Sequence, residues 1–232
     1  GGTMHPINNI RPAAALVLLM AGSAVAFAQM MPGGGQSGMG RQSNRGQPGD
    51  EPPSAPAAEK PDAAAKKAYA AAMKSLAKAK AYEAAAGAAV NADKRAKESE
   101  KMADAYSRAL DQFTEALSNN GSLADAWNNV GYIHLKLGAY MEAVDDYNHT
   151  LALKPGLTEA IEHRGEAYLA LDRLEDVKSA YMDLFNHDPP LAGQLMGAMQ
   201  SWLDTHRRDA GRVRAADVDA FGKWMADRAA HS

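Results

Sequence analysis

Apolar residues recur along much of this chain at spacings of three and four, the repeat of one face of an α-helix. The strongest run is Met102, Tyr106, Ala109, Leu110, Phe113, Ala116 and Leu117, closed by the turn residues Asn119-Asn120-Gly121-Ser122. Before it, Ala63 to Ala89 is rich in alanine and lysine, good helix formers. It carries a thinner stripe of Tyr69, Met73, Leu76 and Tyr82, and Gly87 weakens its end. Towards the C-terminus, Leu195, Met199 and Trp202 give the stretch Leu191 to Leu203 an apolar face. Val218, Phe221 and Met225 mark an amphipathic helix over Ala215 to Ala230, and the arginine-rich His206 to Arg214 reads as the loop between them. No segment alternates with period two for more than a few residues, so the expected fold class is all-α.

The N-terminal quarter departs from this pattern. Arg11 precedes an uncharged, mostly apolar run, Ala13 to Ala28, that ends in the small-x-small group Ala26-Phe27-Ala28. The run is shorter than the ~20 residues a membrane-spanning helix needs, and residues 1–28 are expected to be a cleaved signal peptide. The expected location is therefore periplasmic or secreted, with no integral membrane span after cleavage and an uncleaved anchor as the alternative. Residues 29–62 form a linker in which glycine and proline are too dense for a packed core. It is expected to be a disordered tether spanning roughly 30–35 Å.

A shift of 34 residues aligns the chain with itself. Ala126 falls on Ala160, Gly131 on Gly165, Leu137 on Leu171, Ala143 on Val177, Tyr147 on Tyr181 and Pro155 on Pro189. A period of 34 built from two helices, with small residues where they cross, defines a stacking unit that cannot bury its own apolar face alone. Ala124 to Leu157 resembles the tetratricopeptide repeat through Trp127, Val130, Gly131, Ala143, Tyr147 and Pro155, with His134 and Thr150 as departures. Thr158 to Leu191 resembles it more loosely through Gly165, Tyr168, Val177, Tyr181 and Pro189. Upstream, Tyr106, Ala109, Phe113 and Ala116 fit only a unit's second helix. Asp93, Lys97 and Glu100 stand where Trp, Gly and Tyr would be, and no turn glycine lies near Asp104. This stretch therefore reads either as one continuous helix or as a degenerate helix pair.

The resemblance implies a short right-handed solenoid with flanking capping helices. Its expected segments are a helical N-terminal cap with a degenerate repeat (63–120), two repeats (121–190) and C-terminal capping helices (191–232). Gly131 and Gly165 would admit the paired helix, with Ala143 facing that contact. Trp127, Tyr147, Tyr168 and Tyr181 would fill the spaces between helices, and Pro155 and Pro189 would stop each unit's second helix. It also implies that the first helix of each unit lines a partner-binding groove. Carried over, the groove positions are Asp125, Asn128, Asn129, Tyr132, Leu135 and Lys136, then Glu159, Glu162, His163, Glu166, Leu169 and Ala170. Asparagine can donate to and accept from a peptide backbone, and Tyr132 adds an apolar plate with a polar tip. Some family members grip a C-terminal carboxylate with cationic residues; this chain keeps Asn129 but has Glu159 and His163 where two of those would be.

Charge and composition narrow the chemistry. The formal net charge is −3, yet residues 90–190 carry 10 Lys and Arg against 18 Asp and Glu, a net −8 flanked by slightly basic ends. An acidic repeat block favours a basic or amide-rich protein partner and disfavours nucleic acid. The absence of cysteine excludes disulfides, thiolate metal sites and a thiol nucleophile. No phosphate-binding loop, nucleophile elbow or HExxH occurs. The expected function is a non-enzymatic adaptor or scaffold with no cofactor and no metal. One alternative is a self-associating structural protein of the cell envelope, a homo-oligomer. The other is a metal or small-molecule binder using Glu159, Glu162, His163 and Glu166, or the methionines Met30, Met31 and Met39.

Overall fold

The computed structural model describes residues 63–209 and 211–230. The expected signal peptide, the linker and its methionines lie outside them. The described residues form eight helices: α1 (Ala63–Gly87), α2 (Ala92–Asn119), α3 (Ala124–Leu137), α4 (Tyr140–Leu153), α5 (Thr158–Ala170), α6 (Leu174–His187), α7 (Pro189–Arg208) and α8 (Ala215–Ala229). Short turns fold them into pairs, α1 with α2, α3 with α4, and α5 with α6; α7 then packs on both α5 and α6, and α8 on α7. The result is an all-α solenoid of stacked helix pairs.

Two turns at equivalent places show how local chemistry sets the pairs. Gly138 ends α3 in the left-handed region, at φ 79°, where glycine has no Cβ penalty. Thirty-four residues later the same role falls to Asp172, at φ 58°. Its carboxylate accepts a hydrogen bond from the Trp202 indole N–H at 3.1 Å, tying the turn to α7. Asn91 caps α2 by accepting from the Lys94 amide at 2.8 Å, and α2 then runs unbroken to Asn119.

The 34-residue register is visible in the core. Ala126 and Ala160, Ala143 and Val177, Tyr147 and Tyr181, and Thr150 and Leu184 are all buried. A Cβ built on Gly131 would lie 2.9 Å from the Tyr147 ring, and one on Gly165 would lie 2.8 Å from Leu195 of α7. These glycines therefore set the approach of α4 to α3 and of α7 to α5. In α2, Ala109, Phe113 and Ala116 are buried one register earlier. Their partner is α1, through contacts running in opposite senses: Ser75 donates to Gln112 at 2.8 Å and Tyr106 to Glu83 at 3.0 Å.

Several sequence expectations change. The buried seam of α1 is Ala65, Ala68, Ala72, Leu76 and Ala79, while Met73 is exposed and Tyr69 and Tyr82 are only half-buried. Alanine lets two long helices lie close, so the larger side chains move to the edges of the contact. Trp127 is half-buried: its indole N–H donates to the Gly121 carbonyl at 2.9 Å and its ring stacks on His149. Pro189 is the first residue of α7, a position where its missing N–H costs nothing. Helix α7 extends through Arg208, so the loop before α8 begins only at Asp209.

Candidate functional site

Helices α1, α3 and α5 lie side by side. Lys80 sits over the Tyr132 ring at 4.4 Å, and Lys136 pairs with Glu83 at 2.9 Å. On the other flank, Tyr132 meets His163 edge-on with ring centroids 5.6 Å apart. Tyr132 therefore stands where three helices meet, half-exposed, with the fully buried Tyr147 ring of α4 stacked on the other side of His163.

This junction is rich in ionisable groups taken part-way out of water. Burial, together with the neighbouring Glu166, pushes the Glu162 carboxyl up to about 7. Burial also raises Glu166, against the opposing pull of Lys136. The His163 imidazole is lowered to about 4 by burial and by Lys136 and Lys80, so it is neutral at ordinary pH. Burial raises the Tyr147 phenol, and the carboxylates of Glu166 and Glu162 raise it further. Burial pulls the Lys136 ammonium down, but its bond to Glu83 and the nearby Tyr132 and Glu166 leave it raised overall. Three buried polar atoms here have no hydrogen-bond partner: Asn128 Oδ1, the Tyr147 hydroxyl oxygen and His163 Nδ1.

Each carried-over position can now be placed. Asn128, Asn129, Tyr132, His163 and Glu166 are half-buried, and Glu159 and Asp125 are exposed; Asp125 faces Lys154 at 3.5 Å. Asn129 also donates to the Asp125 carbonyl one turn back. Three positions fail as groove surface. Leu169 is 5% exposed and belongs to the core that α7 completes. Leu135 packs against the same core. Glu162 is also only 5% exposed, so it is not a solvated charge. Ala170 is exposed at the end of α5.

The sequence reading missed the first wall of this face. Helix α1 contributes Lys66 and Tyr69, which border an open depression with Leu123, Asp125 and Lys154, and then Lys80 and Glu83. The signal was present: Tyr69, Met73, Leu76, Lys80 and Glu83 continue one face at spacings of three and four, whereas Tyr82 leaves it. Because α1 carries five lysines against one glutamate, the face is acidic on α5 and cationic on α1. Among the described residues, no group of three His, Asp or Glu side chains could hold a metal ion, and no helix is long and apolar enough to cross a membrane. The metal-ligand reading of the Glu159 to Glu166 patch therefore has no donor set in the fold: Glu162 turns inward beside His163, at 3.5 Å from its Nε2.

The family model of the tetratricopeptide repeat matches residues 124–157, which are α3, α4 and the turn after them. Over those residues the chain is similar to a tetratricopeptide repeat. The matched repeat contains Asn128, Asn129, Tyr132 and Lys136, and α5 and α6 stack on it one register later. No curated protein matches the chain. Three solved structures resemble it at low similarity. The first tetratricopeptide domain of Spaghetti (RPAP3), bound to the HSP90 peptide SRMEEVD, is 21% identical, covers 57% of this chain and 94% of its own, and gives a TM-score of 0.41. The Arabidopsis OM64 tetratricopeptide domain is 18% identical, with 58% and 98% covered and a TM-score of 0.41. The MamA RS-1 ArsTM double mutant is 18% identical, with 75% and 100% covered and a TM-score of 0.38.

Proposed function

We propose that this chain is an exported, non-catalytic adaptor that holds an extended segment of a partner protein along the face made by α1, α3 and α5. The observation that carries the reading is the set of buried, unpartnered polar atoms around Tyr132: Asn128 Oδ1, the Tyr147 hydroxyl and His163 Nδ1. A buried polar atom without a partner costs about 1–3 kcal/mol, so the side chains around Tyr132 gain by shifting to meet a segment laid over that ring. Tyr132 adds a ring for apolar contact, and Asn129 and Glu159 add side chains at the solvent edge. The carboxylates of α5 favour a basic or amide-rich segment. Export is supported by Arg11 and the apolar run Ala13 to Ala28, which fit a signal peptide.

Affinity capture with the full chain and with its Tyr132→Ala/Asn129→Ala variant tests the reading. Both variant positions are half-exposed, so the helix stack should persist, as circular dichroism can verify. The proposal expects specific partners to be lost from the variant. Retention of every specific partner would overturn it.

A further inference from the structure

Hydrogen-bond acceptors outnumber donors at the junction of α3, α4 and α5. Glu162 and Glu166 contribute carboxylates, Asn128 Oδ1 is unpartnered, and His163 Nδ1 is unpartnered on a ring whose Nε2 faces Glu162 at 3.5 Å. The Tyr147 hydroxyl, on a residue with no solvent exposure, is unpartnered beside both glutamates. The cations nearby are turned elsewhere: Arg164 of α5 donates to Asn148 of α4 at 2.7 Å, with its buried Nε left without a partner. Lys136 is bonded to Glu83 at 2.9 Å, and Lys80 lies on the Tyr132 ring at 4.4 Å rather than on a carboxylate. His163 stays neutral and adds no positive charge. Counting Glu83, Glu159, Glu162 and Glu166 against Lys80 and Lys136, the site is short of cations when its carboxyls are ionised.

The aromatic rings set the shape of what is missing. Tyr132 meets His163 edge-on, and His163 stacks on Tyr147 with planes 27° apart. A flat cation can slide against such rings while donating sideways to carboxylates, which a tetrahedral ammonium does less well. We propose that this junction is a subsite for the guanidinium group of an arginine in the partner segment, received by the half-buried Glu166 against the Tyr132 ring, with Glu162 and the Tyr147 hydroxyl behind it. The subsite rests on the reading of this face as a partner groove. Lys80, an exposed side chain of α1, occupies the face of Tyr132 in the free chain and is the group that an incoming guanidinium displaces.

The test uses the full chain and capped alanine pentapeptides with arginine, citrulline, lysine or norleucine at the centre, titrated by calorimetry and by NMR. The arginine peptide should bind about tenfold more tightly than the citrulline peptide, which keeps the shape and loses the charge. Glu166→Gln should weaken arginine binding by about tenfold, while Lys80→Ala should strengthen it severalfold. A variant that merely misfolds cannot produce opposite changes at these two positions. Equal binding of arginine and citrulline peptides, or no binding of any peptide, would overturn the subsite. The groove reading would then still be decided by whether partners are lost from the Tyr132→Ala/Asn129→Ala variant.

Discussion

Between α3 and α4 the close approach is made by Gly131, set against the fully buried ring of Tyr147. Between α1 and α2 it is made by alanines: Ala65, Ala72 and Ala79 have no exposure on α1, and Ala105 and Ala109 are buried on α2. The first seam is keyed, a notch that accepts one ring. The second is smooth, and two helices of 25 and 28 residues lie along it. Both leave a first helix beside the next pair's first helix, since α1 flanks α3 as α3 flanks α5. The stack therefore requires small side chains at a helix crossing, and the repeat signature is one way of supplying them. What the smooth seam gives up is register, because one alanine is much like the next; Tyr106 on Glu83 and Ser75 on Gln112 restore it with hydrogen bonds.

Removing the large ring from each seam is the harshest way to compare them. Phe113 and Tyr147 are both fully buried, so Phe113→Ala and Tyr147→Ala should each cost about 3–5 kcal/mol in urea unfolding. A cost near zero for Phe113→Ala would show that α1 and α2 are not part of the same cooperative stack. Overfilling should come next. Gly131→Ala places a Cβ 2.9 Å from the Tyr147 ring, and Ala72→Leu forces a larger side chain into the alanine seam; each should cost about 1–3 kcal/mol. The smooth seam can relieve the strain by sliding, so Ala72→Leu should sit at the lower end of that range.

The turn at Asp172 sharpens the contrast within the repeats. Asp172→Ala should lower stability by about 1–2 kcal/mol, from the left-handed backbone and the lost bond to Trp202. Asp172→Gly, which relieves the backbone, should cost less. Thermal melts of the two variants separate conformation from hydrogen bonding.

Titration gives a smaller effect that belongs to the groove alone. Glu162 has its carboxyl raised from 4.5 to about 7, so the folded chain holds that proton more tightly than the unfolded chain. The stability this provides is complete below pH 4.5 and is lost as pH rises through about 7. His163, lowered from 6.5 to about 4, acts in the opposite sense and loses its contribution as pH falls through that interval. Raising pH from about 5 to about 8 should therefore destabilise the wild-type chain relative to Glu162→Gln. A constant difference in melting temperature over that range would contradict the burial of this carboxyl.

The repeats were legible in the sequence because their constraint is local and discrete. Gly131, Tyr147 and their partners one period later must be small or large at fixed positions, and a shift of 34 residues exposes them. The role of α1 was not legible by that route, since a seam made of alanine matches no motif. Its groove face could be followed only by extending the Tyr69, Met73, Leu76 stripe to Lys80 and Glu83, where it turns polar. Leu169 was misplaced because a position that faces outward in one repeat is covered when the next helix pair packs on it, and α7 lies directly against α5. Glu162 was misplaced because it turns inward beside His163 and the buried Tyr147.

The claim most in need of direct proof is that α1, α3 and α5 form one binding face. A photo-crosslinking residue placed in turn at Lys80, Asn129 and Glu159, one on each helix, and at Asp145 on the exposed side of α4, measures it. The account predicts that the three groove positions capture the same segment of one partner and that Asp145 captures none of it. Capture of that segment from Asp145, or from α3 and α5 without α1, would contradict it.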